Sequence, residues 1–319
     1  MEQPDNDPIE EAQTFVGGCR ALPGGLHFGH IYGCMSGVPR SVPLYFVLSD
    51  CLPEGTSTEE SAMRVAADAI AAGSLLKLDI RPVRESVLRP YLSPLFQCLL
   101  EGTSFRLLAE AHPPKAQIKS SGFTGTVDEF LFPIHQAAYL LGLGCGIACY
   151  NDDNSRYVDL TRKIARRTNA IRGLTLNAHI ALLAKDPSRL RSWDGRRMAK
   201  SYNNTLSVCA TPGETQKFAE RMVGRANAGD PSFDTCSQSD LERLYISAFG
   251  RQPSPSIVLG RERVAILARV LTDWCKDLTS FQKNQDEVKM CLIDGERMAI
   301  RRIDMELKRA GISRDMHSC

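Results

Sequence analysis

Val42 to Leu48 reads Val-Pro-Leu-Tyr-Phe-Val-Leu, an apolar run with no polar break. A strand with one wet face alternates apolar and polar residues. A continuous run is the pattern of a strand covered on both faces, as in a parallel sheet. The surroundings agree. Phe15-Val-Gly-Gly predicts a short strand running into a turn at Pro23, Gly24 and Gly25, after which His27 to Met35 opens a helix. Asp50 sits just past the apolar run. Ser57 with Glu60 predicts a capping box, and Met63, Ala66, Ala67 and Ile70 repeat at helical spacing until Gly73 stops the helix. A strand is expected over Ile80 to Val83 and a helix over Tyr91 to Leu100. Thr126 with Glu129 starts another helix, Ile147 to Tyr150 forms a short strand, and Val158 to Thr168 is a basic amphipathic helix. Strand and helix alternate, so the fold class expected is α/β, a Rossmann-like doubly wound parallel sheet.

Beyond residue 206 the strand signal fades. Val264, Leu267, Ala268, Leu271, Trp274, Cys275 and Leu278 fall on one helical stripe, and Ala299, Ile303, Leu307 and Ala310 on another. Three segments are therefore expected: a flexible tail over 1–14, the α/β domain over 15–205, and a helical domain over 206–319 with its stripes buried in a bundle.

Composition narrows the class. The chain has 319 residues, 43% apolar and 24% charged, which suits a soluble protein with one large core and a smaller module. The net charge of +2 carries no global attraction to nucleic acid, so RNA contact would need a local basic face such as Val158 to Thr168 or Arg297 to Arg309. No apolar run approaches a membrane span, and the acidic start is unlike a signal peptide. The 11 cysteines form no CxxC pair and no zinc-ligand spacing. They read as small buried hydrophobes, Cys145 and Cys149 included, in a reducing cytoplasm; no protein-bound metal is expected.

Two strings carry chemistry. Gly24, Gly25, His27, Phe28, Gly29 and His30 form a glycine-rich turn that leads from the first strand into a helix. Backbone N–H groups point outward at such a place and the helix dipole favours negative charge, which suits phosphate. Gly29 lets a nucleotide lie against the backbone, and His27 and His30 can face one side of the turn as hydrogen-bond donors. Further on comes Arg197-Met198-Ala199-Lys200-Ser201-Tyr202-Asn203-Asn204, a short string carrying two cations and a serine.

The stretch Asp194-Gly195-Arg196-Arg197-Met198-Ala199-Lys200-Ser201-Tyr202-Asn203-Asn204 resembles the KMSKS loop of class I aminoacyl-tRNA synthetases, in its tryptophanyl form DGRKMSKSYNN. Gly25-Leu26-His27-Phe28-Gly29-His30 is similar to that family's GKLHLGH segment. Ala137-Ala138, Asp153 and Asp159-Leu160-Thr161-Arg162-Lys163-Ile164-Ala165 track its AAD…GEDQ…ELTRDIA run. Thr211-Pro212-Gly213-Glu214 falls at its Pro-Glu turn, so the resemblance covers roughly residues 15 to 315. It implies adenylate formation from ATP, with magnesium carried by the nucleotide. It further implies His27, His30 and Lys200 as catalytic groups, and Gly25, Gly29, Arg197, Met198 and Ser201 beside them as ATP contacts. A homodimer is implied too, with tRNA rather than DNA as partner and the helical region reading the anticodon end.

The chain departs from that pattern in places. Arg197 replaces the first lysine of the loop, Ala199 its first serine, and Leu22-Pro23-Gly24 the Pro-Thr-Gly that precedes the histidines. In the amino-acid pocket, Tyr139 stands where the family has an aspartate, and Gln136 where bacterial enzymes have methionine. Gln136-Ala137-Ala138 is similar to the IQAA segment of eukaryotic tryptophanyl enzymes, whose glutamine contacts the indole nitrogen. Gln136, Tyr139, Asp153 and Asn154 are the candidate amino-acid-binding residues, and tryptophan is the leading substrate. Two alternatives stand beside it: a paralogue activating another amino acid for specialised metabolism or inhibitor resistance, and a non-catalytic nucleotide- or RNA-binding regulator.

Overall fold

The computed structural model describes residues 14–51, 58–111, 126–150, 154–183, 190–226, 268–269, 271–273, 275–276, 279 and 284–313, without the side chains of 201 and 223–226. The expected tail over 1–14 lies almost wholly outside these residues, as do Val264, Leu267, Trp274 and Leu278 of the first C-terminal stripe.

Five strands form one parallel sheet: β1 (Thr14–Arg20), β2 (Pro43–Ser49), β3 (Asp79–Arg84), β4 (Cys145–Cys149) and β5 (Ala181–Leu182). Their order is β3-β2-β1-β4-β5. β1 pairs with β2 on one side, Gly17 opposite Phe46, and with β4 on the other, Gly17 opposite Cys149. The chain thus reverses its winding direction at β1, and the crevice beyond the carboxyl ends of β1 and β4 is where such sheets bind ligands. β2 is buried along nearly its whole length, as the unbroken apolar run requires. Two cores lie on opposite faces of the sheet. Leu26, Phe28, Ile31, Phe46 and Val65 belong to one; Val16, Tyr45, Leu88, Ala138 and Ile164 to the other.

Around the sheet run α1 (Phe28–His30, continued by a π-helical turn over Ile31–Met35), α2 (Glu59–Leu76), α3 (Glu85–Gly102), α4 (Phe105–Ala111), α5 (Val127–Gly142) and α6 (Ser155–Arg172). The capping box at Thr126 and Glu129 is present, each side chain accepting from the other's backbone N–H at 3.3 Å. Boundaries differ from expectation, three of them at α2 and α3. α2 is capped by Thr58, whose Oγ1 accepts from Ser61 N, rather than by Ser57. The helix also runs through Gly73 and ends when Lys77 adopts left-handed φ of 56°. Gly73 instead permits close packing, because a Cβ there would stand 2.8 Å from Ile80. α3 begins at Glu85, not Tyr91: Asp50, at the end of β2, accepts from Ser86 N at 2.9 Å and so satisfies the open first turn from outside.

After the sheet come α7 (Pro212–Ala226) and α8 (Gln285–Ala310). The stripe Ala299, Ile303, Leu307 and Ala310 is buried, but in the same core as Val16 and Leu88 rather than in a separate helical bundle. Val288 and Leu292, earlier in α8, join the other core. The helix therefore closes the β3 edge of the sheet and belongs to both faces. Arg84 and Glu296 fasten it there through paired bonds of 2.6 and 3.0 Å.

Candidate functional site

At the carboxyl end of β1 the chain turns through Gly24 (φ 86°) and Gly25 (φ 65°), conformations that favour glycine. His27 follows as the N-cap of α1, and its Nδ1 accepts from Gly29 N at 3.1 Å. His30 Nδ1 accepts in turn from His27 N at 3.4 Å, and the two rings lie tilted by 34° with centroids 3.9 Å apart. With both Nδ1 atoms used as acceptors, each neutral ring carries its proton on Nε2. Gly29 has no room for a side chain: a Cβ would lie 2.9 Å from the His27 ring and 3.3 Å from Met198.

The second string is held by one side chain. Asn204 is 1% exposed. Its Oδ1 accepts from Ala199 N at 2.8 Å, and its Nδ2 donates to Asp194 Oδ1 and to the Arg197 carbonyl, both at 2.9 Å. Lys200, Ser201 and Tyr202 form a single 3-10 turn, with the guanidinium of Arg197 5.8 Å from the Tyr202 ring centre. The segment that follows pairs with the histidine turn: Phe28 N donates to the Leu206 carbonyl and Val208 N to the Leu26 carbonyl, each at 3.2 Å. Lys200 Nζ then reaches the Pro23 carbonyl at 3.0 Å. His27, Gly29, His30, Met198 and Lys200 are thus gathered at one place, with Gly25 and Arg197 beside them.

The electrostatics follow from burial and from that cation. His27 titrates well below an ordinary imidazole and His30 at about 3; burial is the main cause, with the charge of Lys200 adding to it. Both are neutral donors at physiological pH. Burial also lowers Lys200, while Cys19 and Asp68 oppose that shift.

Gln136 and Tyr139 lie on α5, 2% and 4% exposed. The Tyr150 hydroxyl donates to that of Tyr139 at 3.2 Å, at the carboxyl end of β4. His135 turns the other way, stacked on Phe96 at 4.3 Å. A cavity of about 110 Å³ between α3 and α5 is lined by Glu85, Arg89, Phe96, His135 and Tyr139 among others. Burial pushes the Cys19 thiol on β1 up, and the charge of Lys200 opposes that shift. Asn154 is the half-buried residue before α6 and makes no capping bond there. Asp153 lies outside the described residues. Among the described residues no group of three or more His, Cys, Asp or Glu side chains is placed to hold a metal ion, and no helix is long and apolar enough to cross a membrane.

Sequence reasoning passes over Asp68. It is fully buried in α2, and its Oδ2 accepts from Leu26 N at 2.7 Å while Cys209 Sγ donates to Oδ1 at 3.1 Å. Only the absence of a Cβ at Gly25 leaves room for it, since that atom would stand 2.1 Å from Oδ2.

A doubly wound sheet with a glycine-histidine turn after its first strand, and a lysine loop drawn onto that turn, gathers these groups at the switch point where such sheets bind ligands. No protein-family model matches the chain. Among curated proteins it is similar to the tryptophan–tRNA ligase of Campylobacter jejuni, at 22% identity over 246 residues, 72% of this chain and 74% of that protein. It is 27% identical to that of Rhodopirellula baltica over 181 residues, 55% of each chain. With the Xylella fastidiosa protein it shares 27% identity over 230 residues, 64% of this chain and 51% of the other. Among solved structures, tryptophanyl-tRNA synthetase from C. jejuni complexed with ADP and tryptophan superposes with a TM-score of 0.68 at 17% identity, covering 93% of this chain and 98% of that one. The Mycoplasma pneumoniae tryptophanyl-tRNA synthetase gives 0.69 at 15% identity, covering 93% and 96%. The chain shares the fold of these solved synthetases and is similar in sequence to tryptophan–tRNA ligases.

Proposed function

We propose that this protein activates an amino acid with ATP, tryptophan being the leading substrate, and transfers it to tRNA. The observation that carries the reading is the meeting of His27, Gly29 and His30 with Lys200 through the Lys200–Pro23 contact. In the first step a carboxylate oxygen of the amino acid attacks the α-phosphorus, the bond to the bridging oxygen breaks, and pyrophosphate leaves with its magnesium. Such a step asks little covalent chemistry of the protein; what it needs is positioning and charge. The Nε2–H groups of His27 and His30 are fixed donors for the oxygens that gain charge. Lys200 exchanges the Pro23 carbonyl for the leaving phosphates. In the second step a ribose hydroxyl of the tRNA terminus attacks the aminoacyl carbonyl and AMP departs.

Gln136 is our candidate for reading the indole nitrogen through its amide oxygen. We further propose tRNA contact on the region after residue 206, a homodimer as the active form, and a cytoplasmic location, the similarity to tryptophan–tRNA ligases supporting each. One observation favours a second reading, in which a different amino acid is activated: the family's aspartate is replaced by Tyr139, and its hydroxyl is already engaged by Tyr150. ATP–pyrophosphate exchange across the standard amino acids and indole analogues separates the two. A signal with tryptophan alone supports the first, a signal with another amino acid the second, and silence with all of them overturns both.

A further inference from the structure

We propose that Asp68 is a positioning residue of the nucleotide site, a buried carboxylate that locks the histidine turn to the segment following the lysine loop. The inference rests on the activity proposed above. Asp68 sits in α2 among Val65, Ala66, Ala67 and Ala69, all buried, a setting where an apolar side chain would cost less than a charge. Its oxygens face two segments far apart in the chain. One takes Leu26 N, the amide immediately before His27; the other takes the Cys209 thiol, immediately after Val208, with Arg64 Nε at 3.9 Å beyond. Leu26 and Val208 are themselves bonded at 3.2 Å, so the carboxylate closes a small ring of contacts that fixes where His27 begins α1.

Asp68 also acts at a distance. The groups that face Lys200 are Cys19 on β1, Asp68 on α2, and His27 and His30 on α1. The two histidines are neutral. Burial lowers Lys200, and Cys19 and Asp68 oppose that shift.

The test compares Asp68→Leu and Asp68→Asn with the parent chain. Asp68→Leu removes the acceptor, and ATP–pyrophosphate exchange should show a KM for ATP raised on the order of tenfold together with a lower kcat. Asp68→Asn keeps an oxygen for Leu26 N and should recover part of kcat. Its alkaline limb, set by loss of the Lys200 proton, should still move to lower pH, because the opposing charge is gone. Parental KM, kcat and alkaline limb in Asp68→Asn, at any melting temperature, would overturn the proposal and leave Asp68 a structural residue. Two further readouts do not depend on catalysis: hydrogen exchange at the Leu26 amide and NMR titration of Lys200. Should the parent chain be silent in exchange, the functional reading fails by itself. Lys200 titrating alike in the parent and in Asp68→Asn would then remove the Asp68 assignment, and a downward shift would retain it.

Discussion

Lys200 Nζ donates to the carbonyl oxygen of Pro23 across 3.0 Å, joining positions 177 residues apart. The bond places the one cation of the lysine turn directly over the glycine turn that precedes His27. It is a neutral acceptor for a charged donor, weaker than a phosphate oxygen would be. The contact therefore holds the lysine turn against the glycine turn.

That geometry depends on Asn204. Asn204→Ala removes three hydrogen bonds from a buried side chain and leaves the Ala199 amide and the Arg197 carbonyl without it. The expected loss is about 1–3 kcal/mol of stability, together with a raised KM for ATP as the lysine turn loosens. Denaturant unfolding and steady-state exchange kinetics measure the two effects separately.

Gly24 and Gly25 should behave differently although both have positive φ. A Cβ at Gly24 meets nothing within 4 Å, so Gly24→Ala carries only the left-handed strain, about 1–2 kcal/mol. A Cβ at Gly25 falls 2.1 Å from Asp68 Oδ2, so Gly25→Ala adds about 1–3 kcal/mol of overpacking and displaces the carboxylate. Equal destabilisation of the two variants in urea unfolding would contradict this packing.

His30 predicts a pH dependence of stability with a definite sign. In the fold its pKa is about 3, below the ordinary 6.5, through burial and then through Lys200. Between those values the unfolded chain takes up a proton that the folded chain refuses, so stability falls as pH drops through that window and is full above it. His135, lowered to about 4 mainly by burial, acts in the same direction. His30→Gln should flatten the fall of melting temperature on acidification without abolishing it, and scanning calorimetry across the window measures both slopes.

For the amino acid, the two α5 residues should separate cleanly. Gln136→Leu removes the proposed acceptor for the indole nitrogen and should raise the KM for tryptophan about tenfold, leaving the KM for ATP in place. Tyr139→Phe should change the KM for tryptophan less, because it removes a hydroxyl that accepts from Tyr150 and not the proposed indole acceptor. A larger effect at Tyr139 than at Gln136 in exchange kinetics would reverse the two roles.

What could be read from the chain alone, and what could not, divides along the range of the interactions. The uninterrupted Val42 to Leu48 run announces a strand buried on both faces, and Thr126 with Glu129 announces a cap, since both signals are local. The strings at His27 and Arg197 stand out because they set histidine, glycine and lysine at short spacings, and the fold brings the two together. The start of α3 is hidden because its cap, Asp50, comes from the end of a different strand. The burial of α8 against the sheet is hidden for a similar reason: the Ala299–Ile303–Leu307–Ala310 stripe says only that the face is covered, not by what. Asp68 is the clearest case. An acid inside an alanine-rich helix looks like a solvent-facing residue until the turn at Gly25 and the thiol of Cys209 are brought to it.

The measurement that bears most directly on this account is tryptophan-dependent ATP–pyrophosphate exchange by the parent chain and by Lys200→Met. The account predicts exchange in the parent chain and a loss of roughly 10²–10³-fold in Lys200→Met, with an unchanged melting temperature, because a positioned cation is removed and little packing with it. Exchange that survives undiminished in Lys200→Met would contradict the assignment of the lysine turn to the leaving phosphates.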